Sequence, residues 1–400
     1  MRPMDDILAS PEPTVEPAQE PALRLGPARS GGFFEVDGNL VRLLRDGSEV
    51  FPVMLDAIAR AEREILLEMY WFQGDKAGLL FIDALSAKAR EGVDVRVCFD
   101  AIGSIGAPWS MWEPLRAAGG QVVEFAPLSP LRRRFRLKAL NHRDHRKILV
   151  VDEKVGFTGG MNIGDPWLPI EMGGEDWRDD AIEVRGPVAR ELRLLFFETW
   201  RREARTPPPS GLRRLSRRVS GRVVVLANQH GPKRGIRNTY LKGIRHAKER
   251  IDIVNPYFLP GPILLAAIRR ARRRGIEVRI LIPGISDVWL VSMAMSSIIG
   301  RLLESNVRVF AYQGRVLHAK TAVFDETLAT IGTYNLDPRS RRYNRECNIA
   351  VHDAPFARAV RASFEVDLKS ATEVSLASWK ARPLVHRFLA WLASLVRPIL

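Results

Sequence analysis

Two stretches of this 400-residue chain carry nearly the same pattern 173 residues apart. The first reads His145-Arg-Lys147-Ile-Leu-Val-Val-Asp152 and continues to Gly159-Gly160-Met-Asn162. The second reads His318-Ala-Lys320-Thr-Ala-Val-Phe-Asp325 and continues to Gly332-Thr333-Tyr-Asn335. A spacing held through the box and its downstream asparagine constrains the chain to fold as two copies of one unit. Upstream segments agree. Ala61 to Phe72 matches Ala247 to Phe258, Ala89 to Val97 matches Arg272 to Ile280, and Val122 to Ala126 matches Val307 to Ala311. The first pair is a helix end leading into a strand, and the second a helix end, a Gly stop and a β-branched strand. Alternating helices and apolar strands lead to the expectation of an α/β sandwich in each half. The offset of the last pair is 185, so the first half holds a 12-residue insertion between Ala126 and His145. That insertion contains the basic run LRRRFRLK, Leu131 to Lys138.

The predicted organisation follows. Residues 1–38 form a Pro-rich leader with three arginines against seven acids, too polar to bury a core and expected to be disordered. The first repeat occupies 39–205, a basic Pro/Arg linker 206–220, the second repeat 221–375, and a C-terminal amphipathic helix 376–400. The net charge of +15 sits on the body, in the Leu131–Lys138 run, the 201–218 segment and Arg269 to Arg274, and calls for an anionic partner. Cys98 and Cys347 make neither a disulfide framework nor a metal-site spacing, which fits a reducing compartment. No secretory signal or spanning segment is evident, so a soluble or peripheral protein is expected.

The boxes carry the chemistry. In a strand, residues i and i+2 share a face, so each His and Lys point the same way while Ile148 and Val150 pack behind. A duplicated fold can bring the two sets together: two His, two Lys and two Asn around one tetrahedral anion. Lys147, Lys320, Asn162 and Asn335 would donate to phosphate oxygens. One imidazole would attack phosphorus while the other, protonated, gives its proton to the leaving oxygen. The lysines supply the positive charge, so neither a metal nor another cofactor is required. His142, three residues before His145, lacks companion ligands and reads as a surface histidine. Asp152 and Asp325 complete the boxes and join the catalytic set, though as strand ends they suit a structural role, pairing with a basic side chain.

The paired His-x-Lys-x4-Asp boxes resemble the two signature motifs of the phospholipase D superfamily, over residues 40 to 370. Asn255-Pro-Tyr-Phe-Leu-Pro260, Gly332 to Ser340 with Asn344-Arg-Glu346, Phe157 to Ile163 and Trp177-Arg-Asp179 look most like bacterial cardiolipin synthases. Thr333 stands where that pattern often has Ser, and keeps the hydroxyl. The resemblance implies two tandem repeats forming one bilobal unit with the site between them. It implies His145 as the nucleophile that forms a phosphohistidine and His318 as the acid, later the base. Asp179 and Glu346 align with each other and are suited to hold the imidazole Nδ1–H groups. Tyr257 is a candidate for the headgroup entrance, as is Trp71-Phe72, although aromatic pairs at strand ends are commonly core.

The activity implied is phosphatidyl transfer, two phosphatidylglycerols giving cardiolipin and glycerol. Water as acceptor would make a phospholipase D-type hydrolase, and a nucleic-acid substrate a metal-independent phosphodiesterase. A non-catalytic binding module would not need both imidazoles. Leu384 to Arg397, a 14-residue amphipathic stretch of about 21 Å with a Trp and basic residues, suits an interfacial helix. The expected partner is therefore an anionic phospholipid membrane containing phosphatidylglycerol and cardiolipin, rather than nucleic acid. The expected location is peripheral, on the cytoplasmic face of a bacterial inner membrane.

Overall fold

A computed structural model describes residues 31–129, 141–204, 208–210, 212, 221–228, 235–285 and 289–383, with 385, 390, 392 and 393. The basic insertion run, most of the 206–220 linker and most of the predicted C-terminal helix lie outside the described residues. The first half runs β1 (Phe34–Val36), β2 (Asn39–Arg45), α1 (Asp46–Ala59), β3 (Glu64–Met69), α2 (Lys76–Arg90) and β4 (Asp94–Asp100). It continues with α3 (Glu113–Ala117), β5 (Gln121–Phe125), β6 (Lys147–Val151), β7 (Val155–Gly159), β8 (Asp180–Arg185) and α4 (Pro187–Glu203). The second half runs β9 (Val223–Ala227), α5 (Ile236–His246), β10 (Arg250–Val254), α6 (Pro262–Arg273), β11 (Glu277–Pro283), α7 (Trp289–Leu303) and β12 (Arg308–Tyr312). Then come β13 (Thr321–Phe324), β14 (Leu328–Gly332), α8 (Pro338–Arg342), β15 (Cys347–Val351), α9 (Ala354–Leu368), β16 (Ala371–Glu373) and α10 (Leu376–Lys380).

Each half builds one eight-stranded mixed sheet. The orders are β1-β2-β8-β7-β6-β3-β4-β5 and, from the matching edge, β9-β15-β14-β13-β10-β11-β12-β16. Seven strands correspond in sequence; β1 and β16 are each half's own addition. The leader expected to be unfolded through residue 38 is corrected at its end. Phe34–Val36 pairs antiparallel with Asn39–Val41, because the Asp37-Gly38 turn takes positive φ at both residues and closes a hairpin.

Apolar faces decide the layers. Helices α1 and α2 cover one face of the first sheet, burying Phe51, Phe81 and Leu85 against Ile65, Leu67 and Val97. Helices α5, α6 and α7 do the same for the second, with Tyr240, Ile268 and Ile298 against Ile253 and Ile280. The other faces meet in a shared core. There Ile148, Val150, Ile182 and Val184 face Val225, Ile331 and Ile349, with Leu192, Phe196 and Trp200 of α4 and Phe356 and Val360 of α9 packed between the sheets. Strands buried on both sides explain why β3, β6, β13 and β14 read as continuous apolar runs rather than alternating ones. The halves are thus one body.

Asp152 and Asp325 belong to this framework. They lie five residues from the lysines, at the far ends of the strands, so their place among catalytic residues is corrected. Asp152 accepts backbone N–H bonds from Glu62, Arg63 and Glu64 at 2.8–2.9 Å, tying the start of β3 to the end of β6. Asp325 accepts from Lys248, Glu249 and Arg250 at 2.9–3.2 Å at the start of β10. Both take left-handed φ, +55° and +50°, a conformation Asp tolerates better than most residues. A basic side chain does join each, but at the backbone carbonyl: Arg63 at Asp152 and Arg361 at Asp325.

Burial raises both carboxyls, but the backbone donors outweigh it and hold them below the ordinary range. Asp152→Ala or Asp325→Ala strands three donors and strains the turn, and should lower stability by about 2 kcal/mol. Asn at either site should cost less. The depressed values mean that this contribution is complete above about pH 4 and is lost as pH falls further. Thermal melts of these variants between pH 3 and 7 test this; unchanged melting would contradict it.

Candidate active site

The parallel strands β3, β4 and β10, β11, β12 end at one edge, where β6 and β13 begin, and both boxes open there. His145 and His318 each sit two residues before their lysine, just outside the strand. Single parallel bridges between the halves fix them. His145 N–H donates to Arg345 O at 3.0 Å and Arg345 N–H to Arg143 O at 2.9 Å. In mirror fashion, His318 N–H donates to Arg178 O at 2.8 Å and Arg178 N–H to Val316 O at 2.9 Å.

These bridges cross the carboxylates over. His145 Nδ1 lies 3.0 Å from Glu346 Oε2, and His318 Nδ1 lies 2.8 Å from Asp179 Oδ2. Each half therefore supplies the carboxylate that orients the other half's imidazole. With Nδ1 protonated toward its carboxylate, each ring leaves Nε2 for chemistry. Lys147 Nζ donates to His145 O at 2.9 Å, and Lys320 Nζ donates to His318 O. All four side chains are buried, as are Asn162, Asn335, Asp179 and Glu346. Asn162 Oδ1 accepts from Trp71 N–H at 3.2 Å, while Asn335 Oδ1 is buried with no partner.

The two dyads differ in what surrounds them. Asp179 Oδ2 also accepts from Trp167 Nε1 at 3.0 Å, and its Oδ1 from Asp180 N–H at 2.8 Å. Burial raises Asp179, but the charge and hydrogen bond of His318 and the charge of Lys320 overcome it, and its carboxyl lies below the usual range. Glu346 Oε2 also accepts from the Thr333 hydroxyl, but its Oε1 is buried without a partner. Burial pushes Glu346 up to about 8 against the pull of Lys147. Burial, then the charges of Lys147, Lys320 and His318, hold His145 well below the ordinary histidine value, so its ring is neutral. Burial also brings Lys147 down to about 7, against the pull of Glu346.

Small residues let the strands close on these carboxylates. A Cβ on Gly160 would stand 2.1 Å from Asp179 Oδ1, and one on Gly332 2.3 Å from Cys347 O. Thr333, which corresponds to Gly160, is accommodated because its hydroxyl makes two bonds, one to Glu346 and one from Cys347 N–H at 3.0 Å.

Tyr257 is half-buried and edge-on to His318 at 6.4 Å between ring centroids. Trp71 packs with Trp167 and Trp177, and Phe72 is core. His142 is exposed, its ring beside Tyr343. Sequence reasoning missed Tyr70, whose ring lies 4.7 Å from His145 and 5.0 Å from Lys147 Nζ. It missed Trp167 and gave Trp177 no contact, although their rings lie 5.5 and 5.8 Å from His318. It also passed over Arg178 and Arg345, each placed just before an orienting carboxylate. Arg178 is held by both oxygens of Asp367 at 2.8 Å and by Asp180 at 2.7 Å; Arg345 donates to Thr199 at 2.7 Å. The shared Arg-acid dipeptide was the available signal. Among the described residues, no group of three or more His, Cys, Asp or Glu is arranged to hold a metal.

Comparisons with known proteins agree with this geometry. Residues 54–168 and 240–368 match the family described as "Cardiolipin synthase, PLD-like domain". The chain is 33% identical to cardiolipin synthase 1 of Bacillus cereus, over 92% of this chain and 74% of that protein. It is 34% identical to the major cardiolipin synthase of Bacillus subtilis, over 91% and 76%. Among solved structures, the phosphatidylserine synthase of Haemophilus influenzae superposes with a TM-score of 0.65 at 16% identity, covering 90% of this chain and 95% of that one. The polyphosphate kinase of Porphyromonas gingivalis superposes at 0.59 and 16%, covering 89% and 53%. Two boxes on a duplicated fold, their histidines held crosswise, and a family match spanning both halves lead to one conclusion: this chain belongs to the phospholipase D-like cardiolipin synthase family.

Proposed function

We propose that this chain is a cardiolipin synthase-type phosphatidyltransferase working by double displacement between His145 and His318. The observation that carries the assignment of roles is the difference between the dyads. Neutral His145, its Nδ1–H on Glu346, presents Nε2 as a nucleophile. It attacks the phosphorus of a donor phospholipid and forms a P–N bond while the P–O bond to the headgroup alcohol breaks. His318, held by an ionised Asp179, gives its Nε2 proton to the leaving oxygen. In the second step the acceptor hydroxyl loses its proton to His318 and its oxygen attacks phosphorus, so the P–N bond breaks and both rings return to their starting state. Lys147, Lys320, Asn162 and Asn335 hold the phosphate oxygens through both steps.

The rim of the site supports a lipid substrate. Ile102 and Ile105 follow β4, Ile170 lies on the loop of Trp167 and Trp177, Ile263 opens α6, and Ile285 and Leu290 lead into α7. All six are exposed, Ile105 at 78% and Ile170 at 69%, and all sit at the strand ends that carry the boxes. Exposed aliphatic residues gathered at one mouth suit insertion among lipid headgroups and offer nothing to a nucleic-acid backbone. The Arg269–Arg274 cluster begins about 9 Å along α6 from Ile263, and Arg270 and Arg274 line one surface pocket with Ile263. No described helix is long and apolar enough to cross a membrane. We place the enzyme on the cytoplasmic side of a bacterial inner membrane, in keeping with Cys98 and Cys347, both buried thiols without a disulfide.

Vesicles of phosphatidylglycerol incubated with the protein should yield diphosphatidylglycerol and glycerol; release of neither it nor phosphatidic acid would refute the assignment. His145→Ala and His318→Ala should each reduce turnover by at least ~10³-fold. Turnover stopped in an alkaline denaturant, where a P–N bond survives, should leave the phosphatidyl group on a peptide containing His145, and a label on His318 would reverse the roles. Lys147 at about 7 makes a further expectation. As pH rises through 7 the empty site loses this ammonium, so kcat/KM should fall. A bound phosphodiester restores the proton, so kcat should hold to higher pH. A kcat/KM that stays flat from pH 7 to 9 would contradict this.

A further inference from the structure

Beyond Asn335 the chain forms α8, whose sequence Pro338-Arg339-Ser340-Arg341-Arg342 places three guanidinium groups within a turn and a half. A fourth, Arg237, comes to the same place from the first turn of α5. Burial, then the charges of Arg342 and Arg237, hold Arg341 below the usual arginine value. Arg341 Nε is buried and makes no hydrogen bond. None of the four makes an ion pair with a described residue. That sets them apart from Arg308, bridged between Glu277 and Glu373, and Arg361, bridged between Asp252 and Glu326. Arg341 thus faces two like charges, from Arg342 and Arg237, with no ion-pair partner among the described residues, an arrangement that a bound anion would relieve.

The helix starts beside the reacting centre. Asp337 caps α8 through Ser340 N–H at 2.6 Å, close enough to Arg339 and Lys320 for both charges to act on it. Arg339 also acts on the phenol of Tyr70, whose ring lies on His145. Five helical residues span about 7.5 Å, the length of a small molecule. An acceptor such as phosphatidylglycerol bears its own phosphodiester one three-carbon bridge from the hydroxyl that must attack.

We infer that Arg237, Arg339, Arg341 and Arg342 form a second phosphate site that holds the phosphodiester of the acceptor and directs its free hydroxyl onto the phosphohistidine. This rests on the phosphatidyltransfer reading above. The same arginines could serve instead only as a patch for an anionic bilayer surface, and the two roles predict different products.

The test is a competition between two soluble acceptors for one intermediate. Phosphatidylglycerol vesicles supply the donor. Glycerophosphoglycerol, a phosphodiester with a primary hydroxyl and no acyl chains, competes with a short-chain neutral alcohol. Both partition the same phosphohistidine, so the product ratio does not depend on donor binding, vesicle docking or the amount of folded protein. The unmodified protein should favour the phosphodiester acceptor, and Arg341→Gln/Arg342→Gln should lower that ratio at least tenfold. Arg237→Gln, on a separate helix, should lower it in the same direction and guards against a misfolded α8. A ratio that stays unchanged while both products form, or while both fall together, overturns the acceptor site, the second result in favour of bilayer docking. If the unmodified protein transfers to no acceptor at all, the phosphatidyltransfer reading itself fails.

Discussion

The histidine of each box is hydrogen-bonded to a carboxylate from the opposite repeat, and the rest of the molecule serves that exchange. Glu346 can reach His145, and Asp179 can reach His318, only because a single parallel bridge stitches each box to the other half. The bridges in turn need the two sheets face to face, which the shared core of α4, α9 and the inner strands provides. Arg178 and Arg345 anchor the carboxylate-bearing segments from behind, inside that core. Removing a charge partner from so buried a guanidinium would leave an uncompensated charge, so the position of the carboxylate is fixed by electrostatics as well as by packing.

Within this near-symmetry the chemistry depends on small inequalities. Asp179 is satisfied by three donors, including an indole N–H, and remains an anion beside His318. Glu346 has one oxygen without a partner, and burial weakens both its charge and that of Lys147. On the proposed mechanism, double displacement needs a neutral imidazole on one side and a proton-bearing one on the other. The carboxylates differ because Gly160 stands where the other half has Thr333, and because the Trp167 indole donates to Asp179 as the Thr333 hydroxyl donates to Glu346.

The sequence made the duplication, the sandwich and the two His/Lys/Asn sets legible, because a 173-residue repeat is a long-range constraint written in local letters. Asp179 and Glu346 were also found, from their alignment before a strand. What could not be read was which carboxylate serves which histidine, since chain order says nothing about a crossing between halves. Tyr70, Trp167 and the arginine pair were missed for a related reason. Their roles come from contacts between segments tens of residues apart, with no periodicity to mark them. Phe34–Val36 was lost to composition, since two glycines and two acids masked a strand that pairing with β2 makes stable. Asp152 and Asp325 sit inside the motif yet serve the turn, which shows that a conspicuous box need not have one purpose throughout.

The crossed dyads also constrain how such a protein can change over time. Because each repeat carries the acid that orients its neighbour's base, a substitution in one half is felt first at the histidine of the other, and the halves must drift together. A half-length chain meeting its own copy through the same bridges would build two equivalent dyads, with nothing to decide which ring attacks. Joining the copies in one chain removes that degeneracy: a threonine, an indole and a longer carboxylate can each be placed once. The duplication is retained as a scaffold, and its loss of perfect symmetry makes the two dyads chemically distinct.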